Sequence, residues 1–170
     1  MNETKILIKI SSHHLDLSPE AKGEEPDECT MTTEGTLTVD GGQVTVTYAE
    51  TELTGMAGST TTVRFDTAVP GLVTMLRTGT VNTVLVFEQG QQHICAYRTP
   101  YMPIELCVRT YRVVNELLEE GLLFLDYTVE IRGARLERTR FSLEINAEDE
   151  HLSDLLAHDV LPSPTPGEQA

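Results

Sequence analysis

Tryptophan is absent from these 170 residues, phenylalanine occurs four times, and aromatic residues make up 5% of the chain. Any core must therefore be filled mainly by aliphatic side chains. No apolar run approaches the roughly 18 residues of a spanning helix, so no transmembrane segment is expected. The three cysteines, Cys29, Cys95 and Cys107, are too few and odd in number for a disulfide framework, and they fit a reducing compartment. The N-terminal run MNETKILIKISS alternates charged and apolar residues where a signal peptide needs an apolar block, so a cytoplasmic location is expected. Basic residues are scarce: 12 Lys and Arg stand against 27 Asp and Glu, a formal charge of −15. That sign opposes binding to nucleic acid or to an anionic membrane. The acidity lies largely in the flanks, and residues 147–170 hold six acidic residues and no Lys or Arg. Such flanks keep a chain soluble; they can equally dock a basic partner.

What the chain has in abundance is alternation. In Gln43–Thr51, Val44, Val46, Tyr48 and Glu50 share one face, and Thr45, Thr47, Ala49 and Thr51 the other. A period of two marks a strand with one face toward a core. The pattern recurs at Thr4–Ile10, Glu34–Val39, Thr60–Asp66, Leu72–Thr78, Thr83–Glu88, Gln91–Thr99, Ile104–Leu118, Leu122–Ile131 and Leu136–Ala147. Turn signals separate these runs: Asp40-Gly41-Gly42, Pro70-Gly71, Gly79 with Asn82, Gln89-Gly90, and Arg132-Gly133-Ala134. Val113–Glu120 also suits a turn of helix, and is read here as the end of a strand. His13–Thr33 shows no sustained period and is read as a long, mobile, acidic connection. In the tail, Glu148–His158 is a short helical candidate, with Leu152, Leu155 and Leu156 on one face; PSPTPGEQA beyond it is disordered in composition. Hairpins without a long crossover predict an all-β protein: a single antiparallel barrel over residues 1–147, with the tail 148–170 outside it.

The spaced set Tyr48-x-Glu50, Thr54-Gly55-Met56-x-Gly58 with its threonine run, Arg77-x-Gly79, Tyr97-x-Thr99-Pro100-Tyr101, Gly121 and Asp126-Tyr127 resembles the YwiB-like family of uncharacterised bacterial proteins. The resemblance covers about residues 4–147. It implies a calycin-like barrel of about eight to ten strands, similar to lipocalins and fatty-acid-binding proteins, and brings no activity with it. The chain departs from the family pattern after Tyr101, where Met102-Pro103 stands in place of a glycine.

Candidate site residues are the polar groups on apolar faces. Glu50 has the parity of Val44 and Val46, Arg77 that of Val73 and Met75, and Tyr97 and Thr99 that of Cys95. In a barrel these would face the lumen, where an unpaired charge costs several kcal/mol and must find a partner or a ligand. Either Glu50 and Arg77 pair to fix the barrel end, or Arg77 binds the acid group of a small ligand lined by Tyr48, Tyr97 and Thr99. The loop Thr54–Gly58 is a portal flap or a plug carrying Met56. His93, Cys95 and Cys107 lack the convergent spacing of a zinc site, so no metal is expected. His13 and His14 are read as solvated, no histidine has an evident orienting carboxylate, and no nucleophile elbow, P-loop or dinucleotide fingerprint occurs. Arg132, Arg135, Arg138 and Arg140 read as a solvated outer face. The expectation is a non-enzymatic cytoplasmic barrel without a cofactor, binding a small amphipathic or anionic molecule through Arg77 and Glu50. The alternative is an interaction protein with a filled lumen, meeting a protein partner through its rim or acidic tail.

Overall fold

Alternation becomes ten antiparallel strands: β1 (Asn2–Asp16), β2 (Asp27–Asp40), β3 (Gln43–Ala49), β4 (Thr60–Asp66), β5 (Val69–Thr78), β6 (Asn82–Glu88), β7 (Gln92–Arg98), β8 (Pro103–Glu116), β9 (Leu122–Ile131) and β10 (Arg135–Ile145). They come from a computed structural model, which describes residues 2–18, 23, 25–80, 82–98, 100–131 and 135–146. Each strand pairs with its sequence neighbours, and β1 pairs with β10 to close the barrel. The expected all-β antiparallel barrel is borne out. Closure leaves no edge strand, so the meander satisfies its backbone groups within itself except along part of the β6–β7 seam. The tail helix expected at Glu148–His158 lies outside the described residues.

Two elements correct the sequence reading. The acidic stretch 13–33 is mostly strand: β1 runs on to Asp16 and β2 begins at Asp27, with His13 opposite Glu28 and His14 opposite Asp27. Polar cross-strand pairs sustain these strands where no apolar period could announce them, because the cavity wall they form is polar. The end of the β8 run, read as strand, is a one-turn helix α1 (Leu117–Glu120) closed by Gly121 in the left-handed region. Leu117 and Leu118 are both buried there. Their burial at the barrel end favours the helical turn, which turns both leucines inward where a strand would split them.

The turns follow local chemistry. Gly41 and Gly42 have φ of 57° and 90°, so both central positions of the β2–β3 hairpin lie where a side chain would be strained. Inside the barrel, Gly35 stands between Ile6 and Tyr48 in register, and a Cβ there would lie 2.6 Å from the Thr47 carbonyl oxygen. The packed core fills the end carrying the β2–β3, β4–β5, β6–β7 and β8–β9 connections. Phe87 and Tyr127 pack against each other with their rings tilted by 52° and centroids 4.5 Å apart, near fully buried Val44, Val73, Leu123 and Leu143. Aliphatic side chains fill most of that core, as the shortage of aromatics demands. One seam is loosely sewn: β6 and β7 pair only at Asn82–Arg98 and Thr83–Tyr97.

Candidate functional site

Toward the opposite end the packing gives way to a cavity of ≈ 660 Å³. Its wall is organised by strand register. Tyr48 on β3 stands opposite Thr61 on β4, Thr61 opposite Arg77 on β5, Arg77 opposite Thr83 on β6, and Thr83 opposite Tyr97 on β7. Directly opposed residues in antiparallel strands hold their Cβ atoms about 5 Å apart. One row of polar side chains therefore runs across five strands, on the face whose other members are core residues.

Glu50 sits above this row, just past the end of β3, with its side chain 2% exposed. Its Oε1 accepts a hydrogen bond from the Thr61 hydroxyl at 2.5 Å and its Oε2 one from the Thr54 hydroxyl at 2.8 Å. Arg77 Nε lies 3.7 Å from Glu50 Oε1 and donates to Thr61 Oγ1 at 3.3 Å. The structure thus brings the two predicted charges together. The pair uses only one edge of the guanidinium: among the described residues the terminal nitrogens of Arg77 have no hydrogen-bond acceptor. An arginine has five donors, so Arg77 retains capacity to bind an acceptor in the lumen.

Two phenols flank the arginine. Burial pushes Tyr48 far above the usual range of a phenol; the Glu50 carboxylate adds to the rise, and Arg77 and a hydrogen bond with Thr61 oppose it. Burial likewise raises Tyr127, against the influence of Arg77 and of a hydrogen bond with Thr139. Both are neutral hydrogen-bonding groups at physiological pH. Tyr97 is half-buried and lines the cavity. Thr99 lies outside the described residues.

Thr83, which the sequence reading passed over, lines the same cavity and is 6% exposed. Its hydroxyl has no hydrogen-bond partner. One signal could have found it: it has the parity of Leu85 and Phe87, a polar residue on an apolar face.

The loop between β3 and β4 folds over the cavity. A single 3-10 turn, Glu52–Thr54, is capped by Thr51, whose hydroxyl accepts from the Leu53 amide. Leu53, Thr54 and Met56 line the cavity from this side. Three side chains fasten the loop down: Thr54 to Glu50, Cys29 Sγ to the Leu53 carbonyl at 3.2 Å, and Thr51 to Met31 Sδ at 3.5 Å.

At the mouth, the parity of Ile6, Ile8 and Ile10 continues through Ser12 to His14, and both line the cavity. His14 Nδ1 lies 3.0 Å from Glu137 Oε1 and 3.0 Å from Thr139 Oγ1. A carboxylate only accepts, so it fixes Nδ1 as the protonated nitrogen. This corrects two expectations: His14 is not a solvated loop residue, and it has an orienting carboxylate. The pairing joins residues 123 positions apart, a separation to which no local pattern is sensitive. Such a dyad can hold or move a proton. Among the described residues, however, no Ser, Thr or Cys hydroxyl or thiol other than that of Thr139 lies within hydrogen-bond distance of His14.

The remaining candidates do not converge. His93 pairs with Glu88 at 3.2 Å. Cys95 is buried, with its thiol pushed up by burial. Cys107 accepts from Gln92 on the outer face. Arg138 forks onto Asp126 at 3.0 and 2.9 Å and stacks over Tyr111; Arg140 stands 3.7 Å from the same carboxylate. These two arginines form an ion-paired outer face. Arg132 and the side chain of Arg135 lie outside the described residues.

A closed antiparallel meander with an amphipathic cavity at one end defines a calycin-like barrel. Within that class the chain belongs to the family described as domain of unknown function (DUF1934), whose profile matches residues 8–143. In structure it is similar to the crystal structure of the ywiB protein from Bacillus subtilis, at 21% sequence identity and a TM-score of 0.63, over 85% of this chain and 93% of that one. At that identity the likeness concerns the fold, and it bears out the YwiB-like resemblance read from the spaced motifs. No curated protein matches the sequence.

Proposed function

We propose that the barrel is a cytoplasmic binding module, which takes one small amphipathic molecule into its lumen and holds its polar end at Arg77 and Glu50. The observation that carries this reading is the ≈ 660 Å³ cavity with a half-buried, incompletely used guanidinium in its wall. That volume falls within the roughly 300–1,000 Å³ range of small-molecule sites. The wall has the composition such sites require: Leu85, Ile104, Leu106 and Phe141 supply apolar surface, while a few convergent polar groups fix orientation. The alternative, a filled barrel that acts only through its rim or tail, would leave this cavity without a use and Arg77 with idle donors.

Native mass spectrometry of the chain purified without denaturation tests the reading. The expected spectrum carries an added mass that disappears on denaturation. Arg77→Met is expected to abolish or greatly reduce that mass while the protein still folds. A bare mass, together with no uptake of the anionic amphiphile anilinonaphthalene sulfonate, would count against a binding lumen and favour the filled-barrel alternative.

A further inference from the structure

Resting on that binding reading, we infer that the ligand's head group is a monocarboxylate shared between Arg77 and Thr83, and that Thr83 is the residue that selects it. Two described side-chain hydroxyls are buried without a partner, those of Thr83 and Thr110. A native interior leaves few such groups, because an orphaned hydroxyl forfeits its hydration with no return. Thr110 does not line the cavity; Thr83 does. Thr83 is also the direct cross-strand neighbour of Arg77, with both side chains on the lumen face. Guanidinium donors without an acceptor and a hydroxyl without a partner thus stand side by side in the lumen wall. One planar group with two acceptor oxygens satisfies both: one oxygen takes the Arg77 terminal nitrogens, and the other takes the Thr83 proton.

Charge narrows the class further. Arg77 is the one cationic side chain lining the cavity among the described residues, apart from His14 when protonated. Three carboxylates, Glu50, Asp27 and Glu137, line the same cavity. A head group of charge −1 gains the guanidinium contact at limited repulsion. A phosphate monoester, carrying close to two charges, meets three carboxylates with one arginine in compensation. An alcohol offers one neutral oxygen, which gains no charge-assisted bond from the guanidinium, so its affinity depends little on this pair.

The test is calorimetric titration of the full chain with dodecanoate, dodecanol and dodecyl phosphate, alongside thermal melting of Thr83→Val, Thr83→Ser and Thr110→Val. Dodecanoate should bind at least about tenfold more tightly than either of the others. Thr83→Val keeps the shape and removes the orphaned hydroxyl, so the ligand-free protein should melt about 2–6 °C higher. The same variant should lose about tenfold or more in dodecanoate affinity and keep its dodecanol affinity. Thr83→Ser should retain most of the acid affinity. Thr110→Val should also raise the melting temperature, but leave dodecanoate binding unchanged. Equal affinity for acid and alcohol, tighter binding of the phosphate, or a Thr83→Val variant that binds dodecanoate like the parent would each overturn the carboxylate assignment while the binding barrel stands. No heat and no melting shift with any of the three amphiphiles would remove the binding reading as well. The comparison of head groups on the unaltered protein decides the matter even if a variant folds poorly.

Discussion

Glu50 is the residue on which the site hinges, because one carboxylate serves three neighbours. It accepts from Thr61 in the wall and from Thr54 in the covering loop, and it faces Arg77 at 3.7 Å. Its two roles, acceptor and charge, can be separated. In Glu50→Gln the amide oxygen still accepts from Thr61, and the amide nitrogen can donate to Thr54 Oγ1, whose own proton then goes to the Thr51 carbonyl oxygen, already 3.0 Å away. Every hydrogen bond survives and only the charge is lost, so the expected cost is below about 1 kcal/mol. Glu50→Ala loses the same charge and in addition orphans the Thr61 hydroxyl proton, unties Thr54 from the carboxylate and leaves a void, at a cost of about 2–4 kcal/mol. Chemical denaturation of the two variants checks this. Equal losses would show that charge, and not hydrogen bonding, dominates. Glu50, Arg77, Tyr48 and Tyr97 were legible as residues because parity exposes a polar group on an apolar face. Their mutual arrangement was not legible, since register between strands sets it: Thr83 carries the same parity signal, but only register places it beside Arg77, and only register brings His14 to Glu137.

At the scale of elements, the covering loop and the β5–β6 turn are held together by two glycines. Gly79 has φ of 124°, and a Cβ on it would lie 2.3 Å from the Gly58 carbonyl oxygen. The obstacle is backbone, which cannot swing aside as a long side chain would. Gly79→Ala must therefore move the loop that carries Thr54 and Met56 or open the turn that positions Arg77, and strain at positive φ adds to the cost. The expected loss is about 2–3 kcal/mol, with amide exchange in residues 52–60 at least about tenfold faster. Unchanged exchange in that loop would mean that the glycine contact does not fasten it. Elements were legible where one face was apolar, which is why about eight to ten strands and most of their turns could be anticipated; the turn expected at Pro70-Gly71 falls instead just inside β5. The outer halves of β1 and β2 were missed for the converse reason. Ser12, His14, Asp27 and Cys29 face a polar cavity, so period two carries no hydrophobic contrast there.

For the molecule as a whole, closure by β1 and β10 makes the barrel one cooperative unit, so groups buried deep in the lumen report on global unfolding. Tyr48 and Tyr127 are 3% and 5% exposed, and both phenols have their titration raised by burial. The unfolded chain ionises tyrosine near pH 10. A folded-state value above the unfolded one means that the folded protein retains protons which the unfolded chain releases. This contribution to stability is complete below about pH 10 and is lost as the pH rises through the raised range. Denaturant midpoints should therefore be flat from neutral pH to about pH 8, decline as the unfolded chain releases the proton that burial holds on Cys95, and fall steeply above about pH 10. In an ultraviolet titration Tyr48 and Tyr127 should ionise only as the barrel opens, in step with the loss of far-ultraviolet dichroism. In Tyr127→Phe the phenol that opens the fold at high pH is gone, so the alkaline fall should be shallower, while stability at neutral pH drops by about 1 kcal/mol for the lost hydrogen bond with Thr139. Tyr48 and Tyr127 ionising below about pH 11 with the dichroism intact would show that solvent reaches the row around Arg77 freely, and would contradict the buried lumen wall on which both the anchor and the carboxylate site depend.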